Sequence, residues 1–266
     1  MKHVPRKRFG QNFLVDRSVI ARIVEAVDPQ PTDNLVEIGP GLGALTGPLL
    51  ERAPQLQVVE LDRDLAARLR AGYPRERLTV HEGDALRFDF SMLAAPMRIL
   101  GNLPYNISTP LLFHMVAYAE RFTDLHFMLQ REVVERMVAA PSTPEYGRLS
   151  VMLQYRFRMQ HLFSVPSSAF RPAPKVASAV VRLVPLVRPD IAARDELLFG
   201  ETVTRAFSHR RKTLRNALLG LVAEADLEAV GIDPGLRAEN LSVAEFVAIS
   251  SRVRGIRGER SANALK

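Results

Sequence analysis

The chain has 266 residues, 47% of them apolar and 24% charged, with no cysteine and a formal net charge of +7. Disulfides, thiolate zinc sites and iron–sulfur clusters are excluded outright, and no apolar run reaches membrane-spanning length. The excess of positive charge, carried mostly by arginine, points to an anionic partner, nucleic acid first and a membrane surface second. The basic start MKHVPRKRFG is followed by no apolar segment of the secretory kind. That and the absence of cysteine predict a cytoplasmic protein.

Asp16 is placed as the N-cap of a helix over RSVIARIVEAV, with Ile20, Ile23, Val24 and Val27 at helical spacing. Strands are predicted at 34–39, 57–61, 78–82, 97–100 and 125–130, separated by helices such as 64–73 and 109–119. Such alternation predicts an α/β fold with a mostly parallel, Rossmann-like sheet. Segments 155–165 and 177–186 follow with little helix between them and are expected as an antiparallel pair at the sheet edge. A boundary is placed at 187/188. Beyond it the sequence reads as a small all-α domain to residue 254, its last helix opened by Ser242 and Glu245 at capping-box spacing. The tail 255–266 has little to bury and is expected to lack order.

VEIGPGLGALT (36–46) ends the first of the five strands and opens a helix. Gly39, Gly41 and Gly43 allow a tight turn and close approach of the backbone to a ligand. Glu60 follows about twenty residues later at the end of the next strand, where a ribose hydroxyl pair would be held. Asp84 ends the third strand and can accept from an adenine amine or cap the next helix. A nicotinamide-dependent oxidoreductase and an S-adenosylmethionine enzyme both remain open on this half of the chain.

NLPYNIST follows the fourth strand. An adenine amine is a poor nucleophile because its lone pair is delocalised into the ring. The side-chain oxygen of Asn102 and the carbonyl of Leu103 can accept its two hydrogens and redirect the lone pair at an electrophile, with Pro104 stiffening the turn. Tyr105 offers a flat face to an extruded base. The six histidines have no metal-ligand spacing, and no metal is expected.

Five segments, FGQNFLVD, VEIGPGLGALT, NLPYNIST, FRPAPKV and RRKTLRNAL, lie in family order across residues 6 to 253. Together they resemble the ribosomal RNA adenine N6-dimethyltransferases, nearest to the bacterial small-subunit form. The resemblance implies a class I methyltransferase domain. It also implies dimethylation of two adjacent adenosines in a hairpin near the 3′ end of small-subunit RNA. The donor would be S-adenosylmethionine, the product S-adenosylhomocysteine, and the enzyme a monomer acting on the small ribosomal subunit. Gln11, Asn12, Leu14, Gly39, Gly41, Glu60, Leu61, Asp84, Ala85 and Asn102 would hold the cofactor. Tyr105 and Phe170 would sandwich the target base. Ala177 stands where similar proteins usually have an acid. Arg6, Lys7, Arg8, Lys175, Arg205, Arg210, Arg211, Lys212 and Arg215 are the expected RNA contacts. If 205–216 is one helix, Arg205, His209 and Lys212 share a face and Phe207, Leu214 and Leu218 face a core; a break near Ser208 would re-aim the first turn. The alternatives are a large-subunit adenine methyltransferase of the macrolide-resistance type and a ribosome-assembly factor with dispensable catalysis.

Overall fold

Apolar strands and amphipathic helices in alternation build a seven-stranded mixed sheet. The computed structural model describes residues 11–186, 193–209 and 211–263. In chain order the elements begin with β1 (Phe13–Leu14), α1 (Arg17–Val27), β2 (Leu35–Ile38), α2 (Thr46–Arg52), β3 (Leu56–Glu60), α3 (Arg63–Gly72) and β4 (Leu78–Glu82). They continue with β5 (Met97–Asn102), α4 (Ser108–Val116), β6 (Phe122–Gln130), α5 (Arg131–Val138), α6 (Arg148–Gln154), β7 (Phe157–Val165), β8 (Phe170–Arg171) and β9 (Ser178–Pro185). Four α-helices follow among the described residues: α7 (Ala193–Phe207), α8 (Leu214–Ala217), α9 (Glu224–Glu228) and α10 (Val243–Asn263).

The sheet order is β4-β3-β2-β5-β6-β9-β7, and β2 to β6 run parallel. β9 is antiparallel to both β6 and β7, so the expected antiparallel pair forms at the edge. The strand order reverses between β2 and β5, which opens a crevice at the carboxyl ends of the strands where ligands bind in such sheets. β1 and β8 form a separate two-stranded antiparallel clasp, with Leu14 opposite Phe170.

α1 starts where Asp16 accepts from the backbone N–H groups of Ser18 (2.8 Å) and Val19 (3.3 Å). It stops at Asp28, whose left-handed backbone (φ 47°) lets its N–H return to the Val24 carbonyl. The buried face Val19, Ile23, Val24 and Val27 packs against Leu35, Leu100, Met128 and Val180 of the sheet. Each such side chain contributes about 1.5–3 kcal/mol on burial.

The chain divides into two compact units, residues through Glu135 with Phe157–Pro185, and Arg136–Arg156 with Leu186 onward. The segment 136–156, which the division at 187 assigns to the first unit, therefore packs with the helical part. There Tyr146, Val151 and Tyr155 share a core with Phe199, Val203, Leu214, Leu218 and Phe246. Tyr155 stacks on Phe199 with centroids 4.1 Å apart, and the Tyr146 hydroxyl donates to the Leu241 carbonyl at 2.8 Å. The capping box forms as expected, the Ser242 N–H donating to Glu245 at 2.7 Å and the Glu245 N–H to Ser242 Oγ at 3.3 Å. α10 runs through Asn263, so residues 255–263 correct the expectation of a tail without order.

Candidate active site

The carboxyl ends of β2, β3, β4 and β5 deliver Gly39, Glu60, Asp84 and Asn102 to one cleft of about 340 Å³. Gly39, Gly41 and Gly43 all have positive φ (64°, 59° and 84°), which a side chain would strain. At Gly41 a Cβ would also crowd the Phe13 ring, at 3.2 Å. The loop is held from β3. Glu60 Oε2 accepts from the Gly41 N–H at 3.1 Å, and Oε1 from the Asp62 N–H at 2.8 Å. Burial raises the Glu60 pKa, and those two N–H groups oppose the rise. The Leu61 N–H opposes the rise as well, so three N–H groups share a carboxylate with about four acceptor sites.

Glu37 also lines the cleft. It is 2% exposed, and burial pushes its pKa up to about 7 against the hydrogen bond from Thr46 Oγ1 (2.6 Å). Its signal in the sequence is an acid two residues before the first glycine.

Gln11, Asn12, Leu14, Leu61 and Ala85 line the same cleft. Gln11 Nε2 donates to Asp62 Oδ2 at 3.4 Å. Asp84 Oδ1 accepts from the Leu86 N–H at 3.0 Å. Residues 85–87 form a turn, so Asp84 does not cap a helix; the next short helix, Phe90–Met92, is capped by Asp89.

Asn102 ends β5, and its Nδ2 donates to the Asn12 carbonyl at 3.1 Å. That bond fixes the amide and turns Oδ1 the other way. Leu103 is 1% exposed and its N–H donates to the Met128 carbonyl at 3.2 Å. The Pro104 carbonyl accepts from Ser108 Oγ and the Ile107 N–H, both at 3.1 Å. Tyr105 is half-buried against the cleft, its hydroxyl 2.7 Å from Ser178 Oγ.

Gly101, just before this tip, touches the neighbouring strand. A Cβ there would lie 2.5 Å from the Ile38 carbonyl oxygen. Gly101→Ala must therefore push β5 from β2, at about 1–3 kcal/mol or more, and carry Asn102 with it. Thermal melts and methyl-transfer assays of that variant should fall together. Wild-type values of both would show that the strands absorb the methyl group.

The Phe170 ring is fully buried beside Leu14, Val165 and Val180, where it anchors the β1–β8 clasp and does not line the cleft. Among the basic residues, Arg6, Lys7, Arg8 and Arg210 lie outside the described residues. Lys175 is exposed between β8 and β9, and Arg211 and Lys212 are exposed in the second unit. Arg215 pairs with Glu224 at 3.6 Å. Arg205 Nη2 donates to the Leu219 carbonyl. The chain breaks after Phe207 and resumes as helix at Leu214, so the single helical face of Arg205, His209 and Lys212 does not form. Leu214 and Leu218 are buried, and Phe207 packs against the same core, as expected.

Among the described residues no group of three or more His, Asp or Glu is placed to hold a metal, and no helix is long and apolar enough to cross a membrane. The family model for ribosomal RNA adenine dimethylase matches residues 2–254. The chain is 62% identical to the ribosomal RNA small subunit methyltransferase A of Chromobacterium violaceum over 260 residues, 97% of this chain and 99% of that one. It is 60% identical to the protein of the same name from Aromatoleum aromaticum over 263 residues, 99% of each. A dimethyladenosine transferase from Plasmodium falciparum superposes with a TM-score of 0.75 at 25% identity, covering 89% of this chain and 95% of that one. The 23S rRNA methyltransferase ErmE gives 0.69 at 28% identity, covering 91% and 100%. A glycine cradle and an Asn-Leu-Pro-Tyr tip at the carboxyl ends of one parallel sheet, in a chain matched from end to end, place this protein in the ribosomal RNA adenine dimethylase family.

Proposed function

We propose that this chain uses S-adenosylmethionine to dimethylate N6 of two adjacent adenosines in a hairpin near the 3′ end of small-subunit ribosomal RNA. The observation that carries the reading is the fixed Asn102–Tyr105 tip bordering the same cleft as the glycine loop. The residues fit that cofactor. Gly39, with nothing within 4 Å of where a Cβ would stand, leaves room for close backbone contact, Glu60 keeps an acceptor site for a ribose hydroxyl, and Asp84 Oδ2 is open to an adenine amine. Bound there, S-adenosylmethionine supplies an electrophilic methyl group.

The chain's own residues supply position. Asn102, its amide set by the Asn12 carbonyl, presents an acceptor to the target amine, and the Leu103 carbonyl supplies the second. Tyr105 stacks the extruded base. Holding reactants in line accounts for about 7–11 kcal/mol of barrier in the best-oriented cases. Identity near 60% with small-subunit enzymes favours that target over the large-subunit one of ErmE.

The test supplies labelled S-adenosylmethionine with unmethylated small and large subunits and identifies the modified nucleoside by mass spectrometry. N6-dimethyladenosine from the small subunit alone is expected. Label in the large subunit would move the chain to the resistance-type branch. No label in either, with cofactor bound, would leave the assembly-factor reading.

A further inference from the structure

Tyr105 and Ser178 are 73 residues apart in sequence, yet their hydroxyls are 2.7 Å apart. Their surroundings differ. Ser178 is fully buried and opens β9. Its backbone is held from both sides, opposite Gln130 of β6 and Val165 of β7. The preceding residue is fixed too, the Ala177 carbonyl accepting from the Arg131 N–H at 3.0 Å. Tyr105 instead sits in the turn between β5 and α4, with its ring against the cleft. A base stacks on the face of that ring and has no need of the hydroxyl. The hydroxyl lies at the ring's far tip. A hydrogen bond there, to an immobile strand, fixes both side-chain torsions at once.

We infer that Ser178 is a positioning residue for the methyl transfer, holding the Tyr105 ring at the angle at which it receives the target adenine. This rests on the methyl-transfer reading above. Ser178 does not line the cleft; it acts through Tyr105. The motif FRPAPKV thereby gains a purpose in the fold, because it forms most of the loop between β8 and β9 and delivers Ser178 to the start of β9.

The experiment is a double-mutant cycle of Ser178→Ala and Tyr105→Phe, assayed by single-turnover methyl transfer to unmethylated small subunits. Tyr105→Phe keeps the ring and its stacking face and changes a half-buried side chain, so it remains informative if Ser178→Ala folds poorly. Each single variant should transfer methyl groups on the order of tenfold more slowly, the range of one hydrogen bond. Apparent affinity for the subunit and for S-adenosylmethionine should change little. The double variant should be no slower than either single one. A general structural role for Ser178 would give losses that multiply, because damage to β9 is indifferent to the phenol oxygen; that result would overturn the inference. So would a wild-type rate for Tyr105→Phe. In both cases the wild-type enzyme still labels RNA and the methyl-transfer reading stands. No label from the wild-type enzyme would overturn that reading and this inference with it.

Discussion

Asn102→Ala should slow the single-turnover methyl-transfer step by about 100- to 1,000-fold, the range for removing one acceptor or donor aimed at developing charge. Cofactor affinity should fall by less than about tenfold, since Asn102 is one of several groups in the cradle. The asymmetry follows from geometry. Gly39, Gly41, Glu60 and Asp84 come from β2, β3 and β4 and remain in place when Asn102 is truncated. The amide of Asn102, by contrast, is fixed by its bond to the Asn12 carbonyl (3.1 Å), and no neighbour can supply its oxygen. Asn102→Asp separates the two roles of the side chain. It keeps an acceptor but replaces the donor with an oxygen facing the Asn12 carbonyl, so the first clasp residues should loosen and cofactor affinity should suffer more than in Asn102→Ala. Rapid-quench assays with labelled S-adenosylmethionine read the rate, and calorimetry reads binding. An unchanged rate for Asn102→Ala would remove the residue from the chemistry. Equal losses of rate and affinity would make it a cofactor ligand only.

What the sequence disclosed about this site was local. The glycines with positive φ, the acid at the end of β3 and the Asn-Leu-Pro-Tyr tip each announce themselves by residue type within a few positions of a strand end. The parallel sheet was legible for the same reason, since strand and helix periods alternate over most of 34 to 130, broken only between β4 and β5, where a turn and a three-residue helix stand in. Features that depend on pairing across long stretches of chain were not. The clasp between Phe13–Leu14 and Phe170–Arg171 joins two-residue strands too short to carry a period, and it buries the Phe170 ring that the family resemblance assigns to the base. Ser178 carries no sign that its partner is Tyr105. The break after Phe207 has little local signature, because residues on both sides of it are good helix formers. What separates them is tertiary: the Leu214 N–H donates to the Leu236 carbonyl at 2.7 Å, and Thr213 forms a bridge with Arg237. The packing of 136–156 with the helical unit is likewise a matter of which apolar face meets which, and a linear boundary at 187 cannot express a unit built from two separate segments.

Asp124→Ala should be strongly destabilising, by about 3–5 kcal/mol, because it breaks a buried ion pair and leaves the Arg98 guanidinium with only one of its two anions. Asp124 is 1% exposed in β6. Burial by itself would raise its pKa. The guanidinium of Arg98 reverses this with hydrogen bonds at 2.9 and 3.0 Å, joined by the nearby His126 and by Arg182 at 2.9 Å, and holds the carboxyl below its ordinary range. Arg98 in turn reaches Asp33 at 2.6 Å and the carbonyls of Val27 and Asp28, so one side chain ties the end of α1 and the loop after it to β5 and β6. Because the folded-state pKa of Asp124 is depressed, its contribution is complete above the unfolded value near 3.9 and is lost as pH falls through the folded one. Asp124→Asn keeps an acceptor and should cost less than Asp124→Ala. Replacing Arg98 by Met and Asp124 by Leu together should recover part of the loss, since the pair is then removed rather than broken. Thermal melts at neutral pH check this, with the midpoint of Asp124→Ala expected about 6–20 °C below wild type. Arg98 sits at the start of β5 and Asn102 at its end, so methyl transfer per folded molecule should be retained at low temperature. An unchanged midpoint would mean that Asp33 alone satisfies Arg98. Lost activity in a fully folded Asp124→Ala protein would mean that β5 transmits the break along its length to the tip.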